Sequence, residues 1–134
     1  EVEGSIVGEI DGGMVLLVCL EKGDTEEKVD KAVQKILKMR IFPNPERDDD
    51  RMDLNIVNAH KQILAISQFT LSWQGEKGHR PSFDNSLPAQ EGQSLFENFC
   101  QKLASEVPVK TGAFGKHMDL FIHNDGPVTF SMEF

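Results

Sequence analysis

The sequence is short of cysteine, of positive charge and of long apolar runs, and each shortage removes a class of protein. Two cysteines in 134 residues, Cys19 in a strand-like run and Cys100 in a helical one, are too few for a disulfide scaffold and lack metal-ligand spacing. They read as small buried apolar side chains, and a reducing, cytoplasmic setting follows as the expectation. Lysine and arginine total 14 against 22 aspartates and glutamates, a formal net charge of −8. A broad, salt-driven nucleic-acid binder neutralises many phosphates with clustered cations, so DNA is not an expected partner, while a narrow RNA contact stays open. No apolar run approaches the roughly 20 residues that cross a bilayer, and no membrane partner is expected. The chain opens on Glu1, and residues 1–10 carry neither the basic start nor the apolar stretch of a secretory signal.

What remains is the composition of an ordinary globular domain. Hydrophobic residues at 39% and charged residues at 27% argue against disorder, and residues 1–134 fit one soluble domain with a core. Residues 5–10 and 14–20 read as two strands joined through Asp11-Gly12-Gly13, whose glycines suit a tight hairpin. Asp24 is placed to cap a helix, with Glu27 completing a capping box. Val29, Ala32, Val33, Ile36, Leu37 and Arg40 then mark a 3.6-residue period. Pro43 and Pro45 end that region, the acidic run from Glu46 to Arg51 reads as a solvated loop without the ligand order of a calcium site, and residues 52–57 read as neither helix nor strand unambiguously. Residues 61–71 predict a strand and residues 72–87 a long loop, of the kind that often carries function. Pro88 starts a second helix with an apolar stripe of Leu95, Phe96, Phe99, Cys100 and Leu103. Residues 117–124 and 128–134 read as two last strands. The expected fold class is α/β: a compact, layered, mixed-sheet domain with two amphipathic helices.

Chemistry is less legible locally. Hydroxyl nucleophiles need a base, and neither Gly-x-Ser-x-Gly nor a recognised Ser-His-Asp order occurs. His60, His79, His117 and His123 do not form a zinc set by spacing, and no Gly-rich loop precedes a Lys-Ser/Thr pair, so ATP chemistry is not expected. Two segments stand out as constrained strand ends: residues 67–71 and residues 124–129, the second built on Asn124-Asp125-Gly126-Pro127. Each alone also fits an ordinary turn. Basic residues gather at Lys77, His79 and Arg80 and again at Lys110, Lys116 and His117, where they could meet an anionic substrate or simply be solvated.

Taken in order, the motifs resemble the D-aminoacyl-tRNA deacylase family. They are Glu21-Lys22-Gly23-Asp24-Thr25, Lys38-Met39-Arg40-Ile41-Phe42, Ser67-Gln68-Phe69-Thr70-Leu71, Lys77-Gly78-His79-Arg80-Pro81-Ser82-Phe83, Thr111-Gly112-Ala113-Phe114-Gly115 and Asn124-Asp125-Gly126-Pro127-Val128-Thr129. The family begins with a further strand bearing a Gln-Arg pair, which this chain is expected to lack. Residues 51–55 depart from the family's Gly-Lys-Met-Asn, so Asp53 receives no role.

The resemblance implies hydrolysis of the ester joining a D-amino acid, or glycine, to the terminal ribose of tRNA, a chiral proofreading step that needs no cofactor or metal. It implies a homodimer in which Gly126 and a cis Pro127 reach into the partner subunit's pocket as a backbone clamp that excludes L side chains. Phe69 and Thr70 would act mainly through backbone oxyanion stabilisation or water positioning. Ser67, Gln68, Phe69, Pro81, Ser82, Phe83 and Asn124 would line the substrate pocket, and Lys77, His79, Arg80 and Lys116 are candidate tRNA contacts. A noncatalytic RNA-binding module and a structural interaction domain are the competing readings, and stereoselective hydrolysis discriminates both.

Overall fold

The computed structural model describes residues 1–75 and 78–134. Three strands form a parallel sheet in the order β1 (Gly13–Val18), β4 (Gln62–Ser67), β5 (Val109–Thr111), with Gly13 opposite Gln62, Val18 opposite Ser67, and Ala65 opposite Thr111. Parallel neighbours need long crossovers, and here each crossover contains a helix. The first runs through α1 (Glu26–Lys38) and a small antiparallel pair, β2 (Phe42–Pro43) with β3 (Met52–Leu54); the second runs through α2 (Ala89–Ala104). Central β4 is buried continuously from Ile63 to Ile66, the pattern of a parallel strand covered on both faces.

One face carries the core. Met14, Ile63 and Ala65 pack with Val29, Val33, Ile36 and Leu37 of α1 and with Phe96, Phe99, Cys100 and Leu103 of α2. The periodicity of both helices therefore translates directly into burial. At the start of α1 the Thr25 hydroxyl accepts from the Lys28 N–H at 3.3 Å, so Thr25 rather than Asp24 is the cap. Gly23, at φ +92°, turns Asp24 back, and its carboxylate accepts from the Glu21 N–H at 2.8 Å while pairing with Lys28 at 3.3 Å. That engagement also removes Glu27 from the box position, since Lys28 is three residues after the true cap.

Three expected strands are absent from the described ladder. Residues 5–10 do not pair with β1; they pass β5, where a Cβ on Gly8 would lie 2.3 Å from the Thr111 carbonyl oxygen. No hairpin forms through Asp11-Gly12-Gly13 because this turn instead ties to β4, with Gln62 N–H donating to Gly12 O at 3.2 Å. Residues 117–124 and 128–134 likewise form no ladder, although Asp119 N–H donates to Glu1 O at 3.0 Å. Their apolar side chains, Leu120, Ile122, Val128, Phe130, Met132 and Phe134, are exposed. Alternation encodes a face that can be covered, but strand pairing needs a backbone edge alongside. The expected strand over 61–71 is shorter, since β4 ends at Ser67. The acidic run forms the β2–β3 connection, where Arg47 pairs with Asp49 at 3.1 Å. Asp53 accepts from Arg40 and, at 3.0 Å, from the Asn44 amide. Among the described residues no helix is long and apolar enough to cross a membrane.

Candidate active site

The carboxyl ends of β1, β4 and β5 lie side by side because the strands are parallel, and ligand sites in such sheets favour that edge. Leaving β4, the Gln68 N–H donates to Val18 O at 2.7 Å, which extends the ladder by one residue. The chain then winds into a 3-10 turn over Phe69–Ser72, closed by Leu71 N–H to Gln68 O and Trp73 N–H to Thr70 O, both 3.2 Å. The first amides of such a turn have no acceptor inside it, so the Phe69 and Thr70 N–H groups are the ones left to meet a ligand. Phe69 itself is more than half exposed.

Two side chains hold this turn: Ser72, which the sequence pattern did not single out, and Cys19, expected only as a small buried apolar group. Ser72, the buried polar residue of the described structure, donates its hydroxyl to Phe69 O at 2.8 Å. The Cys19 thiol donates to the same carbonyl at 3.6 Å. Burial first, and then the Glu21 carboxylate, push the Cys19 pKa upward, which keeps the thiol protonated as a donor. Cys19 is thus only partly buried, unlike Cys100, whose thiol burial pushes up to about 11. The signal for Ser72 was its place three residues after Phe69, the spacing of a hydroxyl closing on its own turn.

Thr70 has no base. Its hydroxyl accepts from the Gln68 side-chain amide at 2.6 Å, and no histidine or carboxylate among the described residues hydrogen-bonds it. His60 sits at the amino end of β4, the opposite edge of the sheet, and His79, His117 and His123 are exposed. The hydroxyl is therefore positioned rather than activated.

The long loop returns to the same place. Phe83 meets Phe69 edge-on, with ring centroids 5.0 Å apart and planes at 86°. Lys22 N–H to Asn85 O at 2.8 Å and Leu87 N–H to Leu20 O at 2.9 Å anchor the loop's far end beside the carboxyl edge. Ser82 donates to Asp84 at 2.6 Å, while His79, Arg80, Pro81 and Ser82 face solvent. Lys77 lies outside the described residues. On the β5 side, Gly112 N–H donates to Ala65 O at 3.4 Å, and a Cβ on Gly112 would meet the Met118 sulfur at 2.5 Å and Ile66 at 3.0 Å. Lys116 is exposed on the turn that follows.

The second segment stands apart. Asn124 organises it: its amide nitrogen donates to the Thr129 hydroxyl at 2.9 Å, and its amide oxygen accepts from the Val128 N–H at 3.2 Å. Gly126 adopts φ +118°, and the Gly126–Pro127 bond is cis, as the resemblance implies. These side-chain hydrogen bonds are internal and residues 124–129 are exposed, so within one chain the structure does not join this turn to residues 67–71.

Comparison with known proteins bears directly on this edge-of-sheet site. The family model described as D-Tyr-tRNA(Tyr) deacylase matches residues 1–133. A D-aminoacyl-tRNA deacylase of Persephonella marina is 45% identical over 133 residues, covering 99% of this chain and 88% of that protein. One from Pelobacter propionicus is 44% identical over 133 residues, covering 98% and 90%. Among solved structures, the c-Myc DNA Unwinding Element Binding Protein superposes with a TM-score of 0.91 at 29% identity, over 99% of this chain and 89% of that one. A probable eukaryotic D-amino acid tRNA deacylase shares the fold, with a TM-score of 0.61 at 18% identity over 77% of this chain and 74% of its own. Agreement over nearly the full length, in sequence and in fold alike, means that the chain belongs to the D-aminoacyl-tRNA deacylase family.

Proposed function

We propose that this chain hydrolyses the ester between a D-amino acid and the terminal ribose of tRNA, releasing the amino acid and free tRNA. The observation that carries the reading is the 3-10 turn at the end of β4, which presents two amides beside an exposed aromatic ring and a hydroxyl that has no base among the described residues. Such a surface suits ester chemistry by water. Phe69 would pack on the terminal adenosine, and the Phe69 and Thr70 N–H groups would hold the oxyanion that forms when water adds to the ester carbonyl. Collapse of that intermediate breaks the bond to the ribose oxygen, which takes up a proton and leaves as the tRNA hydroxyl. The neighbouring 2′-hydroxyl helps orient the water, and it also distinguishes RNA from DNA.

Selectivity is assigned to the exposed turn. In a homodimer, Gly126 and Pro127 of one subunit enter the other's pocket, where their carbonyls receive the substrate amino group and leave no space for an L side chain. Asn124 supports this by bonding across the turn to Val128 and Thr129. Glycine has no side chain to exclude, so glycyl-tRNA is also a substrate. Arg80, His79, Lys77 and Lys116 meet the tRNA backbone, and Ser67, Gln68, Pro81, Ser82 and Phe83 complete the pocket. The expected site of action is the cytoplasm.

The test is single-turnover hydrolysis of purified D-aminoacyl-tRNA, its L counterpart and glycyl-tRNA. Fast release from the D and glycyl substrates with the L ester left intact is the expected result. Equal rates on D and L esters would overturn the clamp, and no turnover of any would overturn the enzyme reading.

A further inference from the structure

Trp73 is the chain's one tryptophan, and the chemistry above does not use it. Its side chain is 54% exposed, a large apolar surface left in water directly beside the turn that carries the proposed oxyanion amides. The backbone fixes its place: the Trp73 N–H closes the 3-10 turn on Thr70 O at 3.2 Å. A 3-10 turn rises ~2 Å per residue, which sets Trp73 roughly 8 Å along from Phe69. Gly75, at φ +71°, turns the chain against the indole, and a Cβ there would touch its six-membered ring at 3.7 Å. Exposed Arg80 belongs to the same loop, which leaves the site at Trp73 and returns to it at Phe83. An exposed aromatic ring and an exposed arginine on one loop are the two groups with which single-strand binders meet an unpaired base and its phosphate.

We propose that Trp73 is a second stacking platform, which holds an unpaired nucleotide preceding the terminal adenosine in the substrate's single-stranded 3′ end, with Arg80 on the phosphates between. This rests on the deacylase reading. It adds to it a residue that measures how much single-stranded RNA the enzyme grips beyond the adenosine, and so separates tRNA from a mere aminoacyl ester.

Two measurements test it. The emission of Trp73 is followed while the wild-type protein is titrated with a short, non-acylated single-stranded RNA ending in CCA, and separately with adenosine alone. Saturable quenching by the RNA but not by adenosine is expected; unchanged emission under RNA concentrations that saturate binding by anisotropy overturns the proposal. In kinetics, the ratio of kcat/KM on D-aminoacyl-tRNA to that on the D-aminoacyl ester of adenosine should fall about five- to a hundredfold in Trp73→Ala, through KM, the range an aromatic–base stack accounts for. Trp73→Phe should keep most of the ratio. An unchanged ratio in Trp73→Ala overturns the proposal. If the wild type cleaves neither ester, the deacylase reading falls, and the quenching result still decides whether Trp73 stacks on RNA.

Discussion

Removing the Thr70 hydroxyl separates two mechanisms by several orders of magnitude. In Thr70→Ala the bond lost is the one from the Gln68 amide, 2.6 Å long and exposed. Water can replace the missing partner, so the net cost lies near the low end of ~0.5–1.5 kcal/mol. If all of it were transmitted to the placement of the Phe69 and Thr70 amides, kcat would fall no more than about tenfold, since ~1.4 kcal/mol is a factor of ten. Deleting a true nucleophile costs on the order of a millionfold. The assay is single-turnover deacylation of D-aminoacyl-tRNA by wild type, Thr70→Ala, Gln68→Ala and the double variant, with thermal unfolding of each. Both single variants should lose less than tenfold, and the double variant should be no worse than the poorer single one, because all three remove the same bond. A thousandfold or greater loss in Thr70→Ala alone, with unchanged unfolding and substrate binding and with recovery in Thr70→Ser, would refute the backbone mechanism.

Other consequences are independent of that one. Phe83→Ala removes the edge-on partner of Phe69, an aromatic contact worth ~0.5–1.5 kcal/mol beyond its buried area; KM for the tRNA ester should rise several-fold with kcat nearly constant, and Phe83→Tyr should restore it. Leu103→Ala empties a fully buried position in the last turn of α2 and should cost ~2–5 kcal/mol in urea unfolding. Hydrogen bonding from Asn44, then from Arg40, holds the Asp53 carboxyl below its ordinary range. A depressed pKa contributes stability that is present above the unfolded value of about 3.9 and lost as pH falls through the lower folded one. Asp53→Asn should therefore be less stable than wild type at pH 6, and the gap should close as the pH drops below 4 in acid-unfolding curves.

The helices were legible because their signal is local. Val29, Val33 and Ile36 recur at the spacing of one helical face whatever lies opposite them, and α2 shows the same stripe through Phe96, Phe99 and Leu103. The cap of α1 was misread by one residue: Asp24 and Thr25 can both cap, and only the turn at Gly23 decides which carries its oxygen to the helix. The strands were less legible. Residues 5–10 and the last two apolar stretches alternate as strands do, yet pairing depends on which distant backbone edge is within reach.

For the site, the sequence by itself determined the motifs and the family they resemble, since short runs such as Ser67-Gln68-Phe69-Thr70 and Asn124-Asp125-Gly126-Pro127 are properties of neighbouring residues. Tertiary structure decided what those residues can do. It ended β4 in a 3-10 turn, brought Cys19 and Ser72 onto the Phe69 carbonyl, set Phe83 against Phe69, and placed the Gln68 amide on the Thr70 hydroxyl. The reason is that these contacts join elements far apart in the chain. Parallel pairing aligns the carboxyl ends of β1, β4 and β5 at one edge, and no local pattern records which strand ends will meet there.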